Sequence, residues 1–367
     1  MILRPYGMVI EGTLELGLEV VIEDGVIQQM RPHTGVPDQY ILSPAFINAH
    51  SHLEYRGLMG KIDEPEYSGW IREITRLKKE QSPDQIRADC LLAAQENRAT
   101  GVAYLMEHSD RPFAGAAMRA VGLDGVIFQE VITFLEHEAP AEKLKLVEKN
   151  AEISRRDFGG PVYLNPHAYQ TVDRDTLRLI ASARNPISIH VAETRHENAF
   201  TRDGSGPIGD FYRANNVPFE PTGKSVLASL NDLGLVHEKT QLVHCCALED
   251  DDIDIIVRQG ATVAHCPRSN TRLQCPPAPI RELLDAGVNV GLGLDSAASS
   301  GPIDMFAEMR AAIQTSLDRG SFVTPEAVWA MATLKEKASP LIRIHVENAR
   351  SIEDVIERAS PDLVDWV

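Results

Sequence analysis

His50 and His52 stand two residues apart, just past the apolar run Pro44-Ala-Phe-Ile47. In an extended strand, residues two apart point to the same side. Both imidazoles can therefore face one point, as two ligands of a metal ion must. Groups of the same kind close other apolar runs: His167, His190 with Glu193, His244, His265 and Asp295. A single histidine at a strand end is ordinarily structural. Six at one rim, joined by an aspartate, are hard to explain as packing, because buried imidazoles and carboxylates must be paired or metal-bound to offset desolvation. A nitrogen-rich set closed by one carboxylate suits Zn2+, with Fe2+ as the alternative. His50, His52, His190 and Asp295 are the expected ligands. Such an ion lowers the pKa of water and makes hydroxide available near neutrality. Deaminating an aromatic amidine would also need a carboxyl group to protonate the ring nitrogen and then the leaving amine. Glu193 is the expected acid. It lies three residues after His190 and so starts on the other face of the strand, and a turn must bring it over the substrate. His244 would orient the attacking water, and Asp295 would accept its proton while holding the metal.

These side chains need a frame that brings strand ends together. From Phe46 onward, apolar runs alternate with amphipathic helical patterns. The runs are Phe46–His52, Val102–His108, Val126–Val131, Val162–His167, Ile187–Glu193, Gln241–Cys245, Thr262–Cys266 and Val288–Asp295. They are nearly continuous rather than alternating, as in parallel strands buried on both faces. One helix opens with Ser82 as N-cap and Pro83 at its first position, and others cover Ala141–Arg155, Asp173–Arg184, Asp250–Gln259 and Ile280–Ala286. Eight strand–helix units predict an α/β fold, a TIM-like (β/α)8 barrel whose strand C-termini share one face. An open doubly wound sheet would need a glycine-rich turn after its first strand, and Ala49-His-Ser-His52 is not one. Residues 1–43 read as a small β-rich domain, with a hairpin turn at Glu23-Asp-Gly25. The barrel spans 44–330. Residues 331–367 read as a helical or irregular tail, part of which could join the small domain, with a strand at Leu341–Val346.

Acidic residues outnumber basic ones, 53 to 36, for a formal net charge of −17. This opposes binding to nucleic acid or to an anionic membrane. No apolar stretch is long enough to span a bilayer, and the first residues lack the pattern of a signal peptide. The 5 cysteines include an adjacent pair and no Cys-x-x-Cys, which fits a reducing cytoplasm rather than a disulfide framework. A homo-oligomer is compatible with all of this.

With these residues assembled, the chain resembles the amidohydrolase superfamily, in particular the branch of cytosine deaminases, triazine chlorohydrolases and adenosine-type nucleoside deaminases. The matching pieces are Pro44-Ala-Phe-Ile-Asn-Ala-His-Ser-His-Leu-Glu54, Asn165-Pro-His167, His190-Val-Ala-Glu193, Leu242-Val-His244, His265-Cys-Pro-Arg-Ser-Asn270 and Gly291-Leu-Gly-Leu-Asp-Ser-Ala-Ala-Ser299. The resemblance implies the barrel, the metal set and the acid–base pair Glu193 and His244. Glu54, Trp70 and Phe128-Gln-Glu130 look like aminodeoxyfutalosine deaminases; there His167 and the loop after the first strand would hold the nucleoside, and a 6-amino group would become 6-oxo. Arg56 or Arg195 would bind an anionic substrate group. The binuclear hydrolases of cyclic amides carry a lysine at the fourth strand end, and Leu164-Asn-Pro-His167 has none, which favours one metal ion per chain.

Departures from the family pattern, such as Ala168-Tyr-Gln-Thr171 after His167, Leu294 before Asp295 and Ser300, fall beside the substrate. A small N-heterocycle is therefore the expected partner. Aminodeoxyfutalosine-type deamination leads, with a chlorohydrolase or a guanine- or cytosine-type deaminase as the alternative. A non-catalytic metal-binding protein would show loss of Glu193 or His244, and both are present.

Overall fold

The computed structural model describes residues 1–367 except 24, 25, 34, 250 and 334–339. Eight parallel strands follow one another along the chain: Phe46–Ser51, Val102–Ser109, Asp124–Val131, Val162–Pro166, Ile187–Val191, Thr240–His244, Thr262–His265 and Val290–Leu292. The first four pair in order as one sheet and the last four as another. Each strand is buried because helices cover its outer face, and the apolar residues Leu105, Ile127, Ile189, Leu242, Val263 and Leu292 belong to one continuous core.

The barrel expected from the sequence is present as two sheets that meet at two seams. Among the described residues, isolated parallel bridges alone, Ala168 with His190 and Ser51 with Asp295, cross them. Asparagine side chains occupy the places where ladder bonds would run. At one seam Asn48 Oδ1 accepts from Leu294 N at 2.9 Å. At the other, Asn165 Oδ1 accepts from Ser188 N at 2.8 Å while Asn165 Nδ2 donates to Ser188 O. A side-chain amide carries the same donor and acceptor as a peptide unit, so each seam is satisfied without a continuous ladder.

The helices follow the sequence signals. The helix Pro83–Ala99 begins with a capping box: Ser82 Oγ accepts from Gln85 N, and Gln85 Oε1 accepts from Ser82 N. Helices run over Pro140–Phe158, Arg174–Ala183, Asp252–Gln259 and Ile280–Asp285. Asp250, expected to open the third of these, lies outside the described residues. So do Asp24 and Gly25, the expected hairpin turn, although the flanking strands Leu18–Glu23 and Val26–Pro32 pair antiparallel.

Several helices exceed the simple strand–helix alternation, and one of them bears on the site. Tyr67–Glu80 is inserted between the first strand and the helix Pro83–Ala99. Its Trp70 and Ile74 pack with Tyr55, Leu58, Ile62, Leu273 and Ala298 in a separate apolar cluster. That packing fixes both ends of the helix over residues that follow strand C-termini.

A five-stranded sheet lies at the N-terminal side of the chain, in the order Val364–Trp366, Leu341–Ile344, Asp38–Pro44, Pro5–Ile10, Thr13–Leu16. Two of its strands come from the segment read as a helical or irregular tail. Ile342 pairs with Ser43 and Ile344 with Ile41. Among the described residues, no helix is long and apolar enough to cross a membrane.

Candidate metal centre and active site

Four residues at strand C-termini adopt a left-handed backbone without being glycine: Ala192 (φ 50°), His244 (φ 76°), Cys245 (φ 53°) and Asp295 (φ 52°). Such residues cost on the order of 1–3 kcal/mol each and cluster at functional sites. At His244 the purpose is visible. Gln241 and Val243 face the barrel interior, where Gln241 Nε2 donates to Ala49 O at 2.7 Å. Strict alternation would send His244 outward, and the altered backbone returns it to the interior. Gly293 serves the same place by its size. A Cβ there would lie 2.7 Å from His50 Cβ and 2.9 Å from Cys266 Sγ, so only glycine lets the eighth strand approach His50.

The expected ligands converge. His52 Nε2 and His190 Nε2 are 3.4 Å apart. Asp295 Oδ1 lies 3.7 Å from His50 Nε2 and 3.9 Å from His52 Nε2. Two nitrogens each about 2.1 Å from one tetrahedral ion would stand roughly 3.4 Å apart, so the spacing fits a shared cation. Both ring nitrogens of His50 and Nδ1 of His52 are buried without a hydrogen-bond partner. Orphaned imidazole nitrogens facing a carboxylate are what a cation site requires. His190 Nδ1 is 2.8 Å from His167 O. It must donate there, which leaves the Nε2 lone pair for the cluster. Burial holds His50 and His52 well below the ordinary imidazole range and His190 at about 4, so all three are neutral and able to ligate. The Asp295 carboxyl is raised by burial and opposed by hydrogen bonds from Ser269, Ser296 N and Ser299.

The acid–base candidates flank this set. His244 can share a cation with His50 and His190. Asn270 Nδ2 lies 3.0 Å from His244 Nδ1. With the amide donating there, the imidazole proton sits on Nε2, 3.6 Å from Glu193 Oε1. The turn that Glu193 needs is held by Glu197, which accepts from Ala192 N at 2.9 Å and from Thr194 N at 3.0 Å. Burial pushes the Glu193 carboxyl well above its ordinary range, with Asp295 and Glu197 adding to the rise and the Tyr67 hydroxyl opposing it. A carboxyl whose pKa is raised in this way holds its proton more readily and is suited to donate it.

The residues expected to hold substrate divide. The His167 ring lies 4.6 Å from the His190 ring, with Nδ1 2.9 Å from Thr171 Oγ1. Glu54 instead binds backbone: its carboxylate accepts from Asp110 N at 2.8 Å and from Arg111 N at 3.2 Å, tying down the loop after the second strand. Trp70 is a packing residue of the inserted helix. Arg56 is not brought to the cluster. Its Nε and Nη2 bind Glu96 at 2.6 and 2.7 Å, which pulls the side chain toward the helix Pro83–Ala99. Arg195 is exposed at the start of the helix Arg195–Asp203. His265 lines a cavity of about 200 Å3 with Asn270, Cys275, Thr315 and Asp318.

Several groups at the site had no role assigned from the sequence. The His108 ring packs 4.4 Å from that of His50. Glu130 can share a cation with His52 and His190. Tyr67 reaches Glu193 from one end of the inserted helix, and Lys78 near its other end binds Asp110 and Tyr55, whose ring stacks on His52. His108 closes the second apolar run as His50 closes the first, so the rule that found His50 applies to it as well.

Residues 41–336 match the model of the amidohydrolase family. The chain belongs to that family. Similar proteins include a 5-methylthioadenosine/S-adenosylhomocysteine deaminase of Haloarcula marismortui, 31% identical over 80% of this chain and 67% of the relative. A 5'-deoxyadenosine deaminase of Methanothrix thermoacetophila is 29% identical over 91% of this chain and 79% of the relative. Among solved structures, a zinc-bound adenosine deaminase from Xanthomonas campestris superposes with a TM-score of 0.82, at 20% identity, over 100% of this chain and 91% of the other. Helicobacter pylori aminofutalosine deaminase superposes with a TM-score of 0.76, at 18% identity, over 99% of both chains. At those identities the likeness establishes a shared TIM-barrel fold.

Proposed function

We propose that this protein is a metal-dependent hydrolase that deaminates an adenosine-type nucleoside, with an aminodeoxyfutalosine-type compound as the leading substrate. One observation carries the reading. His50, His52, His190 and Asp295 converge with orphaned buried nitrogens, beside a His244–Glu193 pair 3.6 Å apart. The relatives, named as deaminases of nucleosides, support the choice of substrate class.

A single Zn2+ held by those four residues, with Fe2+ as the alternative, would make water nucleophilic near neutral pH. The chain's own groups do the rest. His244 presents its Nε2–H to the attacking water and orients it. Asp295 takes the proton that water loses. Glu193 gives its proton to the ring nitrogen next to the reacting carbon, takes up the hydroxyl proton of the adduct and delivers it to the departing amine, and the proton held by Asp295 then restores Glu193. The balance is one water consumed and one ammonia released, with an amidine C–N bond replaced by C=O. His167, beside His190, is placed to hold the nucleoside. The inserted helix, tied to Glu193 by Tyr67 and to Asp110 by Lys78, limits entry of bulk water.

The test is ammonia release by metal-loaded protein with adenosine, 5'-deoxyadenosine, 5-methylthioadenosine, aminodeoxyfutalosine, guanine, cytosine and a chlorotriazine, against a chelated control. Turnover of an adenosine-type nucleoside and not of the free bases or the triazine is expected. Turnover confined to guanine, cytosine or the triazine would overturn the substrate class.

A further inference from the structure

Three buried carboxylates lie on or beside the first three strands of the barrel. Glu54 accepts two backbone N–H groups. Glu107 accepts Leu53 N and the Ser109 hydroxyl, each at 3.0 Å. Glu130 differs. Its side chain is 1% exposed, and Oε1 has no hydrogen-bond partner among the described residues. A carboxylate removed from water without donors is strongly unfavourable unless a cation or a proton partner supplies the missing interaction. The ligating atoms of His52, Glu130 and His190 all lie within 4.8 Å of one another.

A hydrogen-bond chain aims a donor at the same oxygen. Gln241 Nε2 donates to Ala49 O at 2.7 Å and to Ser188 Oγ at 2.9 Å, which uses both amide hydrogens. Ser188 Oγ, which accepts from Gln241, is free to donate its own hydrogen to His108 Nε2, 2.8 Å away. Neutral His108 therefore carries its proton on Nδ1. That Nδ1 faces Glu130 Oε1 at 3.5 Å. The chain fixes the rotation of the His108 ring and aims its Nδ1–H at Glu130. Glu130 Oε1 also lies 3.9 Å from His190 Nδ1.

We propose that Glu130 is an additional carboxylate ligand of the cation, positioned by His108, so that the ion has three histidines and two carboxylates around it. Five or six ligands of mixed nitrogen and oxygen suit Fe2+ or Mn2+ better than the four-coordinate set typical of structural zinc. The inference rests on the cation site above and does not require the deaminase assignment.

The experiment is cobalt substitution, read by visible absorption, together with competition between Mn2+ and Zn2+ measured by metal analysis after dialysis. Co2+ in the wild-type protein should show the weak bands of a five- or six-coordinate ion. Glu130→Gln should shift them toward the stronger bands of an ion with one ligand fewer and weaken Mn2+ binding by at least about tenfold, the lower end of what even an outer partner of a metal ligand costs. A four-coordinate spectrum in the wild-type protein overturns the proposal without any variant, should Glu130→Gln fail to fold. Identical spectra and Mn2+ affinities in the two proteins also overturn it. Absence of bound cobalt from the wild-type protein would instead sink the cation site itself.

Discussion

The main-chain oxygen of His167 sets the chemistry of His190 at a distance of 2.8 Å. By taking the Nδ1 proton it leaves Nε2 as the only nitrogen that can ligate, and Nε2 is the atom 3.4 Å from His52 Nε2. The fourth strand thus contributes to the cation site through its backbone, whatever its side chain does. His190→Asn would shorten the side chain and remove this arrangement. Loss of most bound metal at equal total concentration, read by metal analysis, is the expected result. Retention of a full equivalent would show that His190 is dispensable.

Glu193→Gln tests the proton donor. Gln keeps the size of the side chain, and Glu193 is not among the expected ligands. Metal content should stay unchanged while kcat falls by roughly 10²–10⁴-fold, the usual worth of a positioned acid or base. Full activity would place the proton elsewhere.

Asn270→Leu tests the tautomer of His244. The variant removes the donor to Nδ1 and frees the imidazole to place its proton on either nitrogen. Losing a buried hydrogen bond costs about 1–3 kcal/mol, or roughly tenfold in rate for each 1.4 kcal/mol. The loss should appear in kcat with metal content unchanged. An unchanged kcat would show that the water is oriented by another group.

Arg56→Met separates packing from recognition. Because the guanidinium is engaged with Glu96, KM for a carboxylate-bearing substrate should stay the same, and stability should fall by no more than about 1 kcal/mol, as for other partly exposed ion pairs. A large rise in KM would return Arg56 to the substrate site.

Glu308 gives stability a pH dependence of definite sign. It is fully buried, accepts from Arg268 N at 2.9 Å, and burial raises its carboxyl to about 8. The folded protein therefore holds this proton where the unfolded chain has lost it. By linkage, its contribution to stability is full below the unfolded value and declines as pH rises toward 8. Glu308→Gln keeps an acceptor for Arg268 and should flatten the fall in Tm between about pH 5 and pH 8. An equal slope in both proteins would remove Glu308 as its source.

The legible parts of the sequence were those that repeat. Apolar runs ending in His50, His190, His244 and Asp295 announced strands with chemistry at their ends, and Ser82-Pro83 announced a helix start. What stayed hidden depends on contacts across the barrel. Nothing local marks Asn48 and Asn165 as seam-closing side chains, because their partners Leu294 and Ser188 are remote in sequence. Arg56 looked placed for substrate because only sequence distance from His52 was visible, whereas Glu96, one helix away, claims it. The inserted helix carrying Tyr67 and Lys78 has an ordinary amphipathic pattern, and only its packing over the strand ends brings those two residues to the site. His108 could have been found, since it obeys the same rule as His50, and Glu130 was noticed only as part of Phe128-Gln-Glu130, with no role given to it.

The most direct test is anomalous diffraction at the zinc edge from a crystal of the zinc-loaded protein. One strong peak is expected within bonding reach, about 2.0–2.2 Å, of His50, His52, His190 and Asp295. A peak elsewhere, or none at that point in a crystal shown to contain stoichiometric zinc, would contradict the convergence of these side chains on a single ion.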